Sequence, residues 1–189
     1  HKPIQASPDE PFGDLLVSSQ VAKMLAFMGY SSPTPIQEAV IPLVRAGRDV
    51  VGQAQTGTGK TAAFGIPLVE LLNPNVRELQ ALVLVPTREL AVQVTTELAR
   101  MGKFSHLRSE AIYGGQSINR QLEALRKGTH IIVATPGRLM DHMDRGTVQL
   151  GQLRFVVLDE ADQMLDIGFA DDIRRILGRT PDSRQTLLF

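Results

Sequence analysis

Asp49-Val-Val-Gly-Gln-Ala-Gln-Thr-Gly-Thr-Gly-Lys-Thr61 is the stretch that decides the fold of this chain. It begins with two β-branched residues, continues through a glycine-rich segment, and leads into residues 62–72, which have a helix-like composition. A strand, a glycine-rich loop and a helix in this order form one unit of an α/β fold. The sequence on either side should therefore alternate between strands and helices.

Aliphatic and β-branched runs recur along the chain. Five of them are complete and a sixth begins at Gln185: residues 49–51, 81–85, 109–113, 130–134 and 155–158. Several are apolar at every position, which is typical of strands buried on both faces of a parallel sheet. Helical spacing of apolar residues marks other segments: 18–27, 35–46, 89–101 and 118–125. The pattern predicts an α/β domain, a parallel β-sheet flanked by helices on both faces.

The composition excludes several classes of protein. The 189 residues include no cysteine, so disulfides and cysteine-ligated metals are excluded, and a reducing, cytoplasmic location is expected. The four histidines are scattered without a metal-binding spacing. Apolar runs fall far short of the roughly 20 residues that span a bilayer, so no membrane association is expected. The 20 basic and 20 acidic residues balance, so a local site must bind any nucleic acid.

The domain organisation is predicted to be simple. Residues 1–11 contain three prolines and few apolar residues, which predicts a flexible N-terminal tail. Residues 12–189 contain no internal repeat or low-complexity segment. We therefore expect one domain from residue 12 onward.

The glycine-rich segment has the features of a phosphate-binding loop. Gly57 and Gly59 let backbone N–H groups face inward beside a helix N-terminus, where polyphosphate can be held. Lys60 would bridge the β and γ phosphates, and the Thr61 hydroxyl would bind Mg²⁺. The strict pattern has glycine where this chain has Ala54. The alternative is a turn that only joins a strand to a helix. The expected ATP-binding residues of this loop are Gln55, Thr56, Gly57, Thr58, Gly59, Lys60 and Thr61.

A second element supports the phosphate-binding interpretation. The apolar run at 155–158 leads directly into Asp159-Glu160, so a buried strand ends in two carboxylates. In a doubly wound sheet that strand end lies beside the phosphate loop. Asp159 would then hold Mg²⁺, largely through water, and Glu160 would orient or deprotonate the attacking water. Lys60, Asp159 and Glu160 are the candidate catalytic residues.

Asp159-Glu160-Ala-Asp162 resembles the motif that names the DEAD-box RNA helicases, and further motifs of that family follow in order. Phe12 and, 17 residues later, the segment from Gly29 to Gln37 resemble its adenine-reading Q motif, with Tyr30 where phenylalanine is usual. The resemblance covers nearly the whole chain. It implies the N-terminal RecA-like lobe of a bacterial-type DEAD-box ATP-dependent RNA helicase, a P-loop NTPase domain that uses ATP and Mg²⁺.

The resemblance also implies an RNA surface. Three segments match motifs that contact the RNA backbone in the family: Pro86-Thr87-Arg88, Gly114-Gly115 and Thr135-Pro136-Gly137-Arg138. Two of them lie where a strand ends and a helix begins, so free N–H groups and a positive dipole end could meet phosphates without reading bases. The alternative is that these residues are only helix caps and turns. Asp162 is expected to couple this lobe to a second one.

Gln37 has two possible roles. As part of the Q motif it would pair with adenine. Thr34-Pro-Ile-Gln37 is also a capping box, in which Gln37 would reach back to the N-cap residue of a helix. The two roles are compatible.

The sequence reaches Phe189 just where the Ser-Ala-Thr motif of the family would begin, and the family's C-terminal RecA-like lobe lies beyond that point. In the family, that lobe supplies arginine fingers and half of the RNA groove. The intact protein is therefore expected to be an RNA-stimulated ATPase that unwinds or remodels duplexes, whereas these residues alone would bind nucleotide and be nearly inactive. An unrelated P-loop kinase or motor is the remaining alternative.

Overall fold

A computed structural model describes residues 9–55 and 57–189. Within them, two strands form an antiparallel hairpin and six form a parallel sheet. The strands are β1 (Asp9–Phe12), β2 (Leu15–Ser18), β3 (Val50–Val51), β4 (Ala81–Leu84), β5 (Ser109–Ile112), β6 (Ile131–Ala134), β7 (Phe155–Leu158) and β8 (Gln185–Leu188). The helices are α1 (Ser19–Met28), α2 (Pro35–Arg45), α3 (Lys60–Leu71), α4 (Arg88–Gly102), α5 (Ile118–Arg126), α6 (Pro136–Asp144), α7 (Ala161–Ile167) and α8 (Ala170–Leu177). No helix in the described ranges is long and apolar enough to cross a membrane.

The sheet has the strand order β3-β8-β7-β4-β6-β5, and every neighbouring pair is parallel. This confirms the predicted α/β sheet. Strands β4, β6 and β7 lie inside the sheet, and all of their residues are buried. Because all six strands run the same way, their carboxyl ends share one edge of the sheet, and the loops that leave those ends are neighbours.

Alternate residues of the strands point into two separate hydrophobic cores. Val83 and Val157 belong to a core that also contains apolar residues of α1 to α4. Leu82 and Val156 belong to a second core, built with residues of α6, α7 and α8. The sheet is therefore covered by helices on both faces, as its continuous apolar strands require.

The prediction of a flexible tail at residues 1–11 is wrong for residues 9–11. These residues are part of β1, which pairs with β2 from Asp9 opposite Ser18 to Phe12 opposite Leu15. The physical reason is the burial of two hairpin side chains in the first core. Phe12 of β1 is 4% exposed and Val17 of β2 is 1% exposed, so their burial holds both strands in place. Residues 1–8 lie outside the described residues.

We predict that Phe12→Ala lowers the free energy of unfolding by about 3 kcal/mol, because it removes a buried aromatic side chain and leaves a cavity. Urea denaturation of the 189-residue chain measures this loss. Leu16→Ala, on the same hairpin but with the Leu16 side chain 57% exposed, is the matched control and should change stability little. Equal stability of the two variants would contradict the placement of Phe12 in the core.

Candidate functional site

The predicted phosphate loop and the two predicted carboxylates meet at the carboxyl edge of the sheet. The loop follows β3, and Lys60 is the first residue of α3. Asp159 and Glu160 follow β7 directly, and β8 separates β3 from β7 in the sheet. The topology therefore brings together residues that are about one hundred positions apart in the sequence.

Two glycines shape the loop. Gly57 and Gly59 have φ values of 81° and 78°, in the left-handed region that side chains disfavour. A Cβ atom on Gly59 would also overlap the amide nitrogen of Gln37. The Thr58 hydroxyl donates a hydrogen bond to the Gln55 carbonyl and closes the turn. Thr56, also predicted to bind nucleotide, lies outside the described residues.

Lys60 forms ion pairs with both carboxylates. Its Nζ donates to Glu160 Oε1 at 2.7 Å and lies 2.9 Å from Asp159 Oδ1. Burial alone would lower the pKa of Lys60, but hydrogen bonds and charge from Glu160 and Asp159 outweigh it and raise that pKa. Burial raises the pKa of Asp159, which is 1% exposed, against the opposing effect of Lys60. The charges of this cluster are therefore closely interdependent.

Glu160 has an unusual backbone conformation. Its φ is 57° and its ψ is 50°, in the left-handed region, although it has a full side chain. This residue is the N-cap of α7, so the chain turns sharply between the buried strand and the helix. Such strain is typical of functional sites, where the surrounding structure holds a residue in a disfavoured conformation.

A cleft of about 320 Å³ opens over this cluster. Larger surface clefts exist, including one of about 520 Å³ lined by residues such as Arg77 and Gln152, but this cleft joins the glycine loop to the charged cluster. Three residues of α4 that sequence reasoning missed also line it: Leu90, Gln93 and Glu97. Their spacing of three and four residues, which places them on one side of a helix, is the signal that could have identified them.

The structure separates the two aromatic residues of the predicted adenine site. Tyr30 lines the cleft, and burial together with the charge of Glu97 raises the pKa of its hydroxyl. Phe12 is 4% exposed in the first core and is not among the residues that line the cleft. Tyr30 is therefore the aromatic ring available at the cleft in this conformation.

Gln37 is fully buried, and both ends of its amide have backbone partners. Oε1 accepts a hydrogen bond from the Thr34 N–H at 3.0 Å, which is the reach back to the N-cap residue of α2 that a capping box requires. Nε2 donates to the Gly59 carbonyl at 3.0 Å. Gln37 therefore links α2 to the glycine loop as well as capping the helix.

The residues present fit a divalent cation held mainly through water. No group of three or more His, Cys, Asp or Glu side chains that could form a metal cage occurs in residues 9–55 and 57–189. Asp159 Oδ1 is buried with Lys60 Nζ 2.9 Å away, and a carboxylate has further lone pairs that a cation or its water shell could use. Mg²⁺ commonly binds one or two carboxylates, phosphate oxygens and several waters, which agrees with this donor set.

The three predicted RNA motifs lie on the same edge of the sheet. They follow β4, β5 and β6, which are neighbours in the order β4-β6-β5. Gly114, Gly115 and Gly137 are exposed, and so is Arg88, whose guanidinium lies 5.9 Å from the centre of the Tyr113 ring. Thr87 caps α4 by accepting from the Leu90 N–H.

Other members of these motifs do not face solvent. Pro86 and Pro136 are buried. The side chain of Arg138 is only 16% exposed, and its Nη1 donates to Gln116 O at 3.0 Å and Gln121 Oε1 at 3.1 Å. In this conformation Arg138 is neither a solvated side chain nor a free phosphate ligand. Thr135, the N-cap residue of α6, is half-buried.

Asp162, the residue predicted to couple this lobe to a second one, lies outside these motifs and is exposed in the first turn of α7.

Comparisons with known proteins agree on one family. The family model described as DEAD/DEAH box helicase matches residues 34–189. A DEAD-box ATP-dependent RNA helicase CshA from Bacillus licheniformis is 56% identical over 178 residues, which are 94% of this chain and 37% of the relative. The Bacillus subtilis protein of the same name is 54% identical over 178 residues, 94% of this chain and 36% of its own. The chain thus spans little more than a third of these curated relatives.

Solved structures lead to the same family. A DEAD box protein from Methanococcus jannaschii superposes with a TM-score of 0.89 at 42% identity, covering 96% of this chain and 50% of that one. A hypothetical ATP-dependent RNA helicase from Sulfolobus tokodaii gives a TM-score of 0.83 at 37% identity, covering 91% of this chain and 50% of that one. These matches, together with the sheet order, confirm the RecA-like architecture predicted from the sequence.

We predict that Lys60→Met destabilises the chain by about 3 kcal/mol at neutral pH, because it leaves the buried Asp159 carboxylate without its cation. The pKa of Asp159 in the folded chain is already above its unfolded value, and the variant should raise it further. The loss should therefore be complete above the pKa that Asp159 has in the folded variant, and it should disappear below the pKa that Asp159 has in the folded wild-type chain.

Urea denaturation at a series of pH values measures this dependence. Lys23→Met, which removes an exposed lysine of α1, is the matched control and should cost little at any pH. A loss for Lys60→Met that stays constant with pH would show that lost packing, and not an unpaired carboxylate, is responsible.

Proposed function

Because the chain belongs to the DEAD/DEAH box helicase family, we propose that it is the ATP-binding lobe of an RNA-dependent ATPase that unwinds or remodels RNA duplexes in the cytoplasm. The observation that carries the proposal is the position of Lys60 Nζ, 2.7 Å from Glu160 and 2.9 Å from Asp159, at the end of the glycine loop. A lysine, a buried carboxylate and a second carboxylate on a strained backbone, beside a glycine loop at a helix N-terminus, are parts that phosphoryl transfer uses.

Each residue of the cluster has a distinct role in this proposal. The loop N–H groups and Lys60 bind the phosphates, so Lys60 gives up its carboxylate partners for the β and γ phosphates. Thr61 and Asp159 would hold Mg²⁺, largely through water, and a bound Mg²⁺ would supply positive charge beside the phosphates. Glu160 orients or deprotonates the water that attacks the γ phosphorus as the bond to the β-phosphate oxygen breaks.

The adenine would lie at the Tyr30 side of the cleft. Tyr30 offers a ring for stacking. Gln37 uses one hydrogen bond at each end of its amide, so Oε1 keeps one lone pair and Nε2 keeps one N–H for adenine. Because Nε2 is also bonded to the Gly59 carbonyl, a change at Gln37 on base binding would reach the phosphate loop.

RNA would lie across the carboxyl ends of β4, β6 and β5. Exposed N–H groups at the starts of α4 and α6, the Gly114-Gly115 backbone and the cationic side chain of Arg88 can contact phosphates there. Contacts of this kind do not read bases, so the binding would be independent of sequence. A second RecA-like lobe would supply the rest of the groove and the arginine fingers, with Asp162 as a coupling residue between lobes.

We predict that Gln37→Ala weakens ATP binding and reduces the preference for ATP over GTP roughly tenfold or more, since a bidentate amide contact to adenine is worth about 1–3 kcal/mol of discrimination. Fluorescence titration of the 189-residue chain with both nucleotides measures the ratio. Gln93→Ala, which changes a glutamine that lines the cleft on α4, is the matched control and should leave the ratio unchanged. If affinity for ATP and for GTP falls equally and the chain is less stable, Gln37 only caps α2 and holds the loop, and it does not read adenine.

We also predict that residues 1–189 alone hydrolyse ATP very slowly and respond little to RNA. An arginine finger contributes about 10³–10⁵ in rate, and the described residues would form only one wall of the groove. Steady-state ATPase assays with and without single-stranded RNA, beside a two-lobed protein, measure the difference. The two-lobed Glu160→Gln variant should bind ATP but lose turnover. Strong RNA stimulation of the single lobe would contradict this division of roles.

A further inference from the structure

Gln121 of α5 occupies the centre of a buried hydrogen-bond network. Its side chain is 3% exposed, and both ends of its amide are fully used. Nε2 donates to the Tyr113 carbonyl at 2.9 Å and to Gln116 Oε1 at 3.0 Å. Oε1 accepts from Arg138 Nη1 at 3.1 Å and lies 2.8 Å from His142 Nε2. Four hydrogen bonds saturate the capacity of a glutamine amide.

The four partners belong to two neighbouring segments of the predicted RNA surface, here called its walls: the loop after β5 and helix α6. Tyr113 and Gln116 flank the exposed Gly114-Gly115 pair after β5. Arg138 and His142 are four residues apart on α6, the helix whose N-terminus forms the neighbouring wall. Arg138 Nη1 also donates to the Gln116 carbonyl at 3.0 Å. Gln121 thus contacts both walls with one rigid amide group.

The chemistry of the partners fixes the orientation of this amide. The donors lie at Oε1 and the acceptors at Nε2, so a flipped amide would place like groups together. His142 is fully buried, and burial together with the charge of Arg138 lowers its pKa, which favours a neutral ring. In the neutral form that donates from Nε2 to Gln121, Nδ1 is the acceptor, and the Thr147 hydroxyl lies 2.8 Å from Nδ1 and 3.0 Å from the His142 carbonyl, so its one proton serves one of these two acceptors.

The glycine pair needs such an external restraint. Gly115 has a φ of 84°, a Cβ at Gly114 would meet no atom within 4 Å, and two successive glycines have the widest backbone freedom of any residue pair. A loop with this freedom loses conformational entropy when it binds a ligand, unless it is held in the bound shape beforehand. The Gln121 network supplies hydrogen bonds on the buried side of the loop and leaves its outer face open.

We propose that Gln121 is a positioning residue that holds the Gly114-Gly115 backbone and the N-terminus of α6 at the separation that an RNA backbone requires. The proposal rests on the proposed RNA function of this surface. It also gives a role to the inward side chain of Arg138, which links α6 to the loop after β5 through its hydrogen bonds to Gln116 and Gln121. Gln121 touches no RNA and acts through the groups that do.

Gln121→Glu tests the proposal because glutamate is nearly isosteric with glutamine and removes only the hydrogen bonds that Nε2 donates. A carboxylate still accepts from Arg138 and His142, but it has no donor for the Tyr113 carbonyl or Gln116 Oε1. We expect roughly tenfold weaker binding of a short oligouridine strand, since two buried hydrogen bonds are lost, with ATP affinity unchanged. In the free chain, the amides of residues 114–117 should exchange with solvent faster.

NMR titration of the 189-residue chain gives both affinities and the amide exchange. Asn119→Asp adds the same charge at an exposed site of α5 and is the matched control. If it weakens RNA binding as much as Gln121→Glu does, simple charge repulsion explains the effect and the proposal is overturned. If Gln121→Glu does not fold, Gln116→Ala is the second variant, because it removes the Gln116 Oε1 acceptor of Gln121 from a half-buried loop position. It should likewise weaken RNA binding and speed amide exchange at residues 114–117.

The outcomes also separate this inference from the proposed function. Absence of oligouridine binding by the wild-type chain and by a two-lobed protein would overturn the RNA function, and this role with it. If the wild-type chain binds RNA and Gln121→Glu binds it equally well, with unchanged amide exchange at residues 114–117, the positioning role alone is overturned.

Discussion

Parallel pairing of six short strands is the constraint on which the rest of the molecule depends. Each parallel connection must return over a face of the sheet, so every strand is followed by a crossover and both faces are covered. All strands then end at the same edge, where helices begin and where backbone N–H groups lack helical partners. The predicted phosphate loop, the carboxylates after β7 and the three predicted RNA motifs therefore lie on one surface.

The sequence was most informative where burial alone decides structure. Residues 155–158 are apolar at every position, and β7 spans those same residues. Residues 9–11 were harder to predict because β1 owes its order to a partner strand and a distant core. Asp9, Glu10 and Pro11 have no apolar pattern of their own, and an edge position tolerates Pro11. Contacts between elements, and not local preference, determine the structure of that segment.

The candidate site shows the same division. A strand–loop–helix order and a strand ending in two carboxylates predicted that Lys60 lies beside Asp159 and Glu160, and the structure brings these three side chains together. Gln121 could not be found in this way, because a glutamine on an amphipathic helix usually faces solvent. Its importance comes from four partners on two other segments, which only the folded chain brings together. The direction of Arg138 was unpredictable for the same reason.

The left-handed conformation of Glu160 limits how this lobe can evolve. A non-glycine residue there costs about 1–2 kcal/mol relative to an ordinary conformation, and the buried strand before it and the helix after it hold it in place. Glycine would relieve that strain and remove the carboxylate in the same step. If Glu160 acts on the attacking water as proposed, selection for a more heat-resistant lobe would favour a residue that selection for catalysis rejects.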